Sequence, residues 1–556
     1  MGVSLFLTAT VGWITIKTQL LFLKNFPHFF DPVNYLYHNA VLSLRLAEEN
    51  RFSLALSEWL ANGRHPLRTV PLILFSPRLL THPLGHLATS LPVFSIFLAL
   101  LGLTIYSRTK NMIYAIGSIS IFCALPGIYD LRYGLGAYWL DVTAALLMGS
   151  AVLCIINASE AKSIKWLLGF SIFASLTVLS RYSAAGYLAF TCLPIFIYCL
   201  LIRWQNEKNF FKGVLLPLGG MSLIIAVLAG YYLIAHLKEN IRYYSFFGYG
   251  LRNGDIALAV KFMIPLVYSF FSRPLIILLT AAAIIHFVGF YRRGAKGREG
   301  LLVSLWLACA VILFQIAVLR VHSNKIQFIY AIIPLFVSLI SPTVIRQTAF
   351  SRRCLTWLGV LFMAASVLFG GRTVFRRYQQ ANFPSYEYQE QKKLDIALAE
   401  ALAQERRGIV WNAYFDEYSE IPSMESFYRF KKLPLPAGPQ FFTIHRVYWE
   451  RFYPGLTPEQ VSRRVYENTQ KWVHVAVVFE DPSSAEKQFD NGYSREVAKY
   501  VAETIARDPN WKKIFTLQSS RYGPLTAYRN LFALKDAYKK AFASSLPNSQ
   551  KEILEA

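Results

Sequence analysis

The chain has 556 residues, of which 54% are hydrophobic and only 16% are charged, and its mean hydropathy is +0.35. Soluble globular proteins carry about 25% charged residues, so this composition excludes an ordinary soluble protein and indicates one embedded in lipid. Residues 381–556 hold 24 Lys and Arg against 22 Asp and Glu, a balance of +2, so residues 1–380 carry +22 of the formal +24. A nucleic-acid-binding protein would expose such an excess on a water-facing domain. Here the excess lies between apolar segments, which excludes nucleic acid as a partner.

Apolar segments long enough to cross or nearly cross a bilayer recur through residues 1–371 and are absent from the rest of the chain. We predict about eleven transmembrane helices followed by a small C-terminal α/β domain, a polytopic α-helical membrane protein. The predicted spans are 2–23, 85–106, 112–127, 138–156, 166–180, 184–202, 214–236, 274–290, 300–319, 327–345 and 354–371. Residues 2–23 lack a basic start and a small-residue cleavage site, so we expect a retained helix rather than a signal peptide.

The basic residues favour one orientation. With the N-terminus in the cytoplasm, the inner loops 107–111, 157–165, 203–213, 291–299 and 346–353 hold most of the loop Lys and Arg. This positive-inside bias predicts that the C-terminal domain is extracytoplasmic. Arg372, Arg376 and Arg377 oppose the bias, because they follow the last predicted span on its outer side.

Two outer loops are large. The first, 25–84, contains two segments with helical periodicity, 33–49 and 52–61, which are too short or too polar to span the membrane. Both are predicted to lie on its surface. In the second, 237–273, the interrupted apolar run 256–273 is predicted to form an interfacial helix.

Residues 381–542 alternate between helical and strand patterns. Helices are predicted at 389–405, 458–469 and 493–507, and strands at 408–414, 472–479 and 512–518. The polar tail 543–556 is predicted to be disordered.

Asp31 and His65 are the candidates in the first outer loop. A carboxylate at the membrane boundary can act as a general base. Asp31 followed by Pro32 is equally the start of a helix, and the two roles are compatible. His65 lies near Arg64 and Arg68, and a lone histidine is more often structural than catalytic.

The second outer loop contributes Asp130, Arg132 and Asp141. Asp141 opens the fourth span, where an ionisable side chain is costly and tends to be functional. The alternative is a favourable interaction with the positive end of the helix. Asp130 and Arg132 fit a functional site and a solvated loop equally well.

Cationic candidates lie at two further outer edges. Arg181, in the short loop after the fifth span, could bind a phosphate in bidentate fashion, or could extend to lipid headgroups. Arg320 and Lys325 precede Tyr330 and the tenth span, where they could hold a lipid phosphate or act as flanking charges. No nucleotide-binding loop and no Ser/His/Asp set is present, so any reaction must use an activated substrate or a gradient.

This order of features resembles the GT-C glycosyltransferases. The resemblance is to the branch of protein O-mannosyltransferases and the aminoarabinose transferases that modify lipid A. It rests on the outward Asp31 after the first span, the loop with surface helices, Asp141, Arg181, and the late run of Lys325, Tyr330 and Pro334. It covers about the first 350 residues by layout. Asp31 is followed by proline, where family members often have a second acid.

The resemblance implies transfer of a sugar from a polyprenyl-phosphate donor to a glycan, lipid or protein acceptor at the outer face of a membrane. We expect a bacterial plasma (inner) membrane. Asp31 would be the general base and Asp141 a second catalytic carboxylate. The leaving lipid phosphate would be stabilised by cations, with Arg181, Lys325, Tyr330, Arg132 and Arg320 as candidates. The resemblance implies no particular cofactor and leaves a divalent metal open, because Asp31 and Asp141 could hold one, as acidic residues do in some GT-C enzymes.

Two other classes of function remain. A flippase or transporter of lipid-linked saccharides would carry charges inside its spans and a repeated layout, which this chain lacks. A polymerase or ligase of surface polysaccharide usually has its large outer loop late in the chain, whereas here a large loop follows the first span.

Overall fold

The structure is a computed structural model of the chain. It describes residues 2–25, 39, 42–43, 45–62, 66–82, 84–131, 134–137, 140–161, 163–181, 184–238, 241, 267–268, 270–291, 302–303, 305–307, 309, 336–337, 340, 349–382, 409–412, 440–443, 455–470, 473, 475–481, 492–519 and 523–531. The chain divides into two compact units. The first comprises residues 1–19 and 45–379, and the second comprises residues 20–44 and 380–556.

Helices account for nearly all of the first unit in the described part of the chain. Their bounds are α1 Gly2–Asn25, α2 Arg51–Ser57, α3 Pro66–Phe75, α4 Leu87–Thr109, α5 Met112–Cys123, α6 Leu140–Ala161, α7 Ile164–Ser180, α8 Ala184–Glu207, α9 Phe211–Ala235, α10 Arg273–Tyr291, α11 Ala349–Ala365 and α12 Gly371–Asn382. A π-helical turn, Glu58–Asn62, extends α2, and another, Ser366–Gly370, joins α11 to α12.

Six helices in the described residues are long and apolar enough to cross a membrane. In α6, 94% of the apolar window is buried, against 22–39% in the other five, so α6 lies at the centre of the bundle. Its neighbours α5 and α7 are apolar but shorter. Several predicted spans therefore coincide with helices, whereas most of 300–319 and 327–345 lies outside the described residues.

One predicted span end was wrong, and one predicted span is part of a longer helix. The third span was predicted to run to residue 127, but α5 ends at Cys123 and a 3-10 turn, Pro126–Tyr129, follows. The extended Leu125 before Pro126 accounts for the break, because a residue before proline disfavours the α conformation. The last span was predicted to end at 371, but the helix continues to Asn382. Charged residues end an apolar run in sequence without ending the helix.

Helices α5 and α11 pack in close backbone contact. A Cβ atom added to Gly117 would lie 2.4 Å from the backbone oxygen of Gly359, so only glycine fits at this crossing. Beside it, the Asn111 side chain donates to Thr356 Oγ1 at 2.8 Å and accepts from the Tyr114 backbone, which caps α5.

A mixed five-stranded sheet forms the core of the second unit. The strands are β1 Ile409–Asn412, β2 Gln440–Thr443, β3 Val475–Phe479, β4 Trp511–Ser519 and β5 Gly523–Asn530, in the order β2-β1-β3-β5-β4. β1 pairs in parallel with β2 and β3, and β5 pairs antiparallel with β3 and β4.

Two helices pack against this sheet, α13 Pro458–Thr469 and α14 Gly492–Arg507. Their apolar faces meet in a core that includes Val461, Val465, Val501, Ile505 and Trp511. Thr457 and Gln460 form a capping box at the start of α13, which satisfies two backbone donors.

The described elements match most of the pattern predicted for this region. Strands were predicted at the positions of β1, β3 and β4, and helices at the positions of α13 and α14; β2 and β5 were missed. The predicted helix 389–405 and the tail 543–556 lie outside the described residues.

Candidate functional site

Asp141 is the second residue of α6, in its first turn. A carboxylate is favoured there because the N-terminus of a helix carries partial positive charge. The side chain of Asp141 is only 1% exposed, and its Oδ1 lies 3.4 Å from Nε of Arg181. A charge buried to this degree needs a partner of opposite sign, so the pair holds both groups in place.

Arg181 ends α7 and is held by the backbone on both sides. It has an extended conformation, its N–H donates to Thr177 O at 2.9 Å, and its own carbonyl accepts from the Ala184 N–H at 3.0 Å. A cation is also favoured at this negative end of a helix. The side chain of Arg181 keeps 17% exposure, so part of this side chain remains accessible although its Nε is buried.

The connection from α5 to α6 forms a buried platform that leads to Asp141. Gln19 of α1 donates to the Leu131 carbonyl at 3.2 Å, and Nε2 of the buried His86 lies 3.2 Å from the Leu135 carbonyl. A Cβ at Gly136 would lie 2.7 Å from the side chain of Thr15, so glycine allows this close approach. Residues from α1 and from the turn before α4 thus fix the loop that positions the first turn of α6.

Asp130 belongs to a second ion pair. Its Oδ2 accepts a 2.9 Å hydrogen bond from Arg377 in α12. This pair places the end of α12 at the same edge of the bundle as the α5–α6 connection. Burial raises the pKa of the neighbouring Tyr129 hydroxyl.

A cavity of about 230 Å³ is lined by residues of α3, α4, α6 and α7, the last two being the helices that carry the pair, although neither Asp141 nor Arg181 lines it. Thr143, two residues after Asp141, and Ser180, directly before Arg181, contribute to its wall. The rest of the lining is Leu67, Arg68 and Pro71 from α3 with Ala88, Thr89, Pro92 and Val93 from α4.

Arg68 gives this mainly apolar cavity its positive charge. The residue is only 7% exposed, and it lines the cavity together with the hydroxyl-bearing Thr89, Thr143 and Ser180. A guanidinium and hydroxyl groups in a small cavity with an otherwise apolar lining are suited to an anion with several oxygen atoms.

The structure brings together two of the predicted site residues, Asp141 and Arg181. A third, Asp130, pairs with Arg377, which was not among the predicted site residues. The other predicted site residues lie outside the described residues: Asp31, His65, Arg132, Arg320, Lys325 and Tyr330. No group of three His, Cys, Asp or Glu side chains suited to a metal ion occurs in the part of the chain that the structure describes. Asp141 faces a guanidinium, which does not fit a role as metal ligand.

Sequence reasoning missed Arg68 and the helix that bears it. Pro66 at the first position of α3 is a start signal, and the helix keeps Arg68, Thr69, Leu72 and Ile73 buried on one side. The spacings from Arg68 to Leu72 and from Thr69 to Ile73 are one helical turn, which could have identified this face.

Comparisons with known proteins find similarity in structure only. No protein-family model and no curated protein sequence matches the chain. The structure of ArnT from Cupriavidus metallidurans in the apo state matches with a TM-score of 0.50 and 12% identity, over 95% of this chain and 99% of that one. ArnT from the same organism bound to undecaprenyl phosphate matches with a TM-score of 0.49 and 11% identity, over 95% and 98% of the two chains.

These matches test the resemblance drawn from the sequence. ArnT is a lipid A aminoarabinose transferase of the GT-C type, the branch to which the order of motifs pointed. Identity of 12% supports a statement about the fold and none about the reaction. The helical membrane architecture predicted from the apolar segments is thus confirmed, and the chain has a fold similar to that of ArnT.

Proposed function

We propose that this protein is an integral membrane glycosyltransferase that transfers a sugar from a polyprenyl-phosphate donor to an acceptor hydroxyl. The observation that carries the proposal is the cavity lined by the buried Arg68, whose wall includes Thr143 and Ser180 from the two helices joined by the Asp141–Arg181 pair. Two guanidinium groups at one membrane edge suit a substrate that is both anionic and lipid-linked. ArnT, which has a similar fold, has been solved with undecaprenyl phosphate bound.

The cations would act on the leaving group. In the transfer, the acceptor oxygen forms a bond to the anomeric carbon while the bond from that carbon to the phosphate oxygen breaks. The electron pair of that bond passes to the lipid phosphate, whose negative charge increases. Arg68 and Arg181, with Lys325, Tyr330, Arg132 and Arg320 as further candidates, would stabilise this charge and so lower the barrier.

The two carboxylates would have different tasks. Asp31 is proposed as the general base that takes the proton of the acceptor hydroxyl. Asp141 is nearly inaccessible and is paired with Arg181, so it would orient that guanidinium rather than accept a proton. In this assignment Asp141 is a positioning residue, and Asp130, paired with Arg377, would support the loop between α5 and α6.

The topology of the enzyme follows from the loop charges. We propose about eleven spans, a bacterial plasma membrane, an outer-face site, and an extracytoplasmic α/β domain at 381–542. The pairing of Arg377 with Asp130 supports an outer position for the end of α12, because it joins the arginines that oppose the positive-inside bias to an outer loop. Recognition of the acceptor glycan, lipid or protein is the role proposed for the C-terminal domain.

Binding of undecaprenyl phosphate to the purified full-length protein tests the donor site. Native mass spectrometry should detect the bound lipid, and Arg68→Gln should weaken its binding by about tenfold or more, the loss expected for one charge-assisted hydrogen bond. Arg108→Gln is the matched control, because Arg108 is also buried in the bundle and lies on α4 about 22 Å further along its axis than Val93. Equal binding by wild type and Arg68→Gln would remove the donor site from the proposal.

Asp31→Asn tests the reaction itself. The variant should keep wild-type expression and undecaprenyl phosphate binding but lose transfer of sugar to the native acceptor in membranes. Normal transfer by Asp31→Asn would exclude this residue as the base. Movement of a lipid-linked saccharide across vesicles without transfer to any acceptor would favour the flippase alternative.

A further inference from the structure

The helical run formed by α11, the π turn and α12 is longer than a membrane is thick. Its charge-free stretch, 354–371, has 18 residues and is therefore about 27 Å long, close to the hydrocarbon thickness of about 30 Å. Arg353 and Arg372 bracket this stretch. Arg372 thus lies at the boundary between hydrocarbon and headgroups, and the rest of α12 extends into the headgroup layer.

One side of this run is exposed along its whole length. Trp357, Leu361 and Leu368 are 69%, 53% and 69% exposed, and Phe375 of α12 is 60% exposed. Trp357 and Leu361 are one turn apart on α11, Leu368 lies in the π turn and Phe375 lies on α12, and such a series of exposed apolar side chains faces lipid in a membrane protein. Phe375 continues this lipid-facing stripe beyond Arg372, up to the level of the headgroups.

The three arginines of α12 have two different environments. Arg377 is directed towards the bundle and binds Asp130. Arg372 and Arg376 are exposed, lie one helical turn apart, and make no ion pair with any residue that the structure describes. Two like charges at this spacing destabilise a helix by about 0.2–0.5 kcal/mol. An anion shared between them would remove this repulsion and gain charge-assisted hydrogen bonds.

We propose that α12 carries a binding site for an anionic glycerophospholipid. Arg372 and Arg376 bind the phosphodiester together, and the exposed ring of Phe375, which lies between them in sequence at the level of the headgroups, packs against the glycerol. Charge complementarity and continuity with the lipid-facing stripe select this occupant. The site lies on the lipid-facing surface of α12 and shares no residue with the cavity of Arg68, so the inference goes beyond the proposed glycosyl transfer.

Native mass spectrometry of the purified full-length protein with phosphatidylglycerol or phosphatidylcholine tests the site. We expect preferential retention of phosphatidylglycerol by the wild type, and a loss of about tenfold for Arg372→Gln/Arg376→Gln, as for removal of a charge-assisted contact. Each single variant should lose most of that binding, because one phosphate is shared. Arg464→Gln/Lys512→Gln, which neutralises two exposed charges of the C-terminal unit, is the matched control and should bind as the wild type does.

Three results would overturn the proposal. They are equal retention of the two lipids by the wild type, equal losses in the α12 and control variants, or losses in the single variants that simply add. The last would indicate diffuse attraction to a charged surface. Arg68→Gln separates this question from the proposed function, because it should retain phosphatidylglycerol while losing undecaprenyl phosphate.

Discussion

The Asp141–Arg181 pair should contribute a measurable coupling energy to stability. Its closest atoms are 3.4 Å apart, which corresponds to an attraction of about 5 kcal/mol at an effective dielectric constant of about 20. Removal of both groups from water offsets part of this attraction, so we expect a net coupling of about 2–3 kcal/mol. Asp141→Asn and Arg181→Gln should each destabilise the protein by about 3–5 kcal/mol, because each leaves a buried charge without its partner. The double variant should lose about 2–3 kcal/mol less than the sum of the single losses.

The measurement is a double-mutant cycle on the full-length protein in mixed micelles, with unfolding followed by tryptophan fluorescence. Single losses that add in the double variant would show that the pair contributes nothing, and would refute the assigned role of Asp141. Sugar transfer gives an independent readout. The double variant should be more stable than the sum of the two single losses predicts. It should still lack sugar transfer, because Arg181 is absent from it.

Three further predictions concern packing, capping and pH. Gly117→Ala should cost about 1–3 kcal/mol in the same unfolding assay, because the new Cβ would meet a backbone oxygen of α11, whereas Gly102→Ala, whose nearest contact would be 3.5 Å, should be neutral or stabilising. Thr457→Ala should destabilise α13 by about 1 kcal/mol, measured by urea unfolding, whereas Thr457→Ser should keep the capping box and most of the stability. Burial, followed by its hydrogen bond to Asp508, raises the pKa of the Tyr466 hydroxyl. The folded state therefore holds this proton more tightly than the unfolded state does. The stability that this difference contributes is fully present below the unfolded pKa of about 10 and is lost as the pH rises above it. Unfolding of wild type and Tyr466→Phe at about pH 8 and about pH 11 should show a smaller alkaline loss in the variant, and equal losses would contradict this assignment.

Regular helices could be predicted from the sequence because each leaves its own local pattern. A long apolar run fixes a helix such as α4 or α8 without reference to any other part of the chain. The predictions were wrong or incomplete where the residue composition of a segment did not indicate its secondary structure. In α12, charged residues ended the apolar run, but an amphipathic pattern continued the helix to Asn382. Strand β2 has four described residues, too few to give a clear alternating pattern.

The candidate site was harder to predict because its members come from distant segments. Asp141 and Arg181 each had a local reason to be noticed, yet their pairing depends on how α6 and α7 pack. Arg68 looked like an ordinary loop residue, because its burial depends on α3 packing against other helices. In sequence, Asp130 fitted a solvated loop and a functional site equally well. Its partner in the structure, Arg377, lies 247 residues further along the chain.

The position of β5 in the sheet has a consequence for the order in which the C-terminal unit can fold during synthesis. β5 lies between β3 and β4 and is the last of the described strands to be made. Before residues 523–530 leave the ribosome, β4 has no partner in the described sheet and one edge of β3 is open. Unpaired strand edges invite aggregation. The ribosome will by then have made all of the membrane-spanning helices, so this unit completes its sheet after the bundle has been synthesised. A chain stopped before residue 523 would expose the edge of β3 permanently and become a substrate for quality-control proteases.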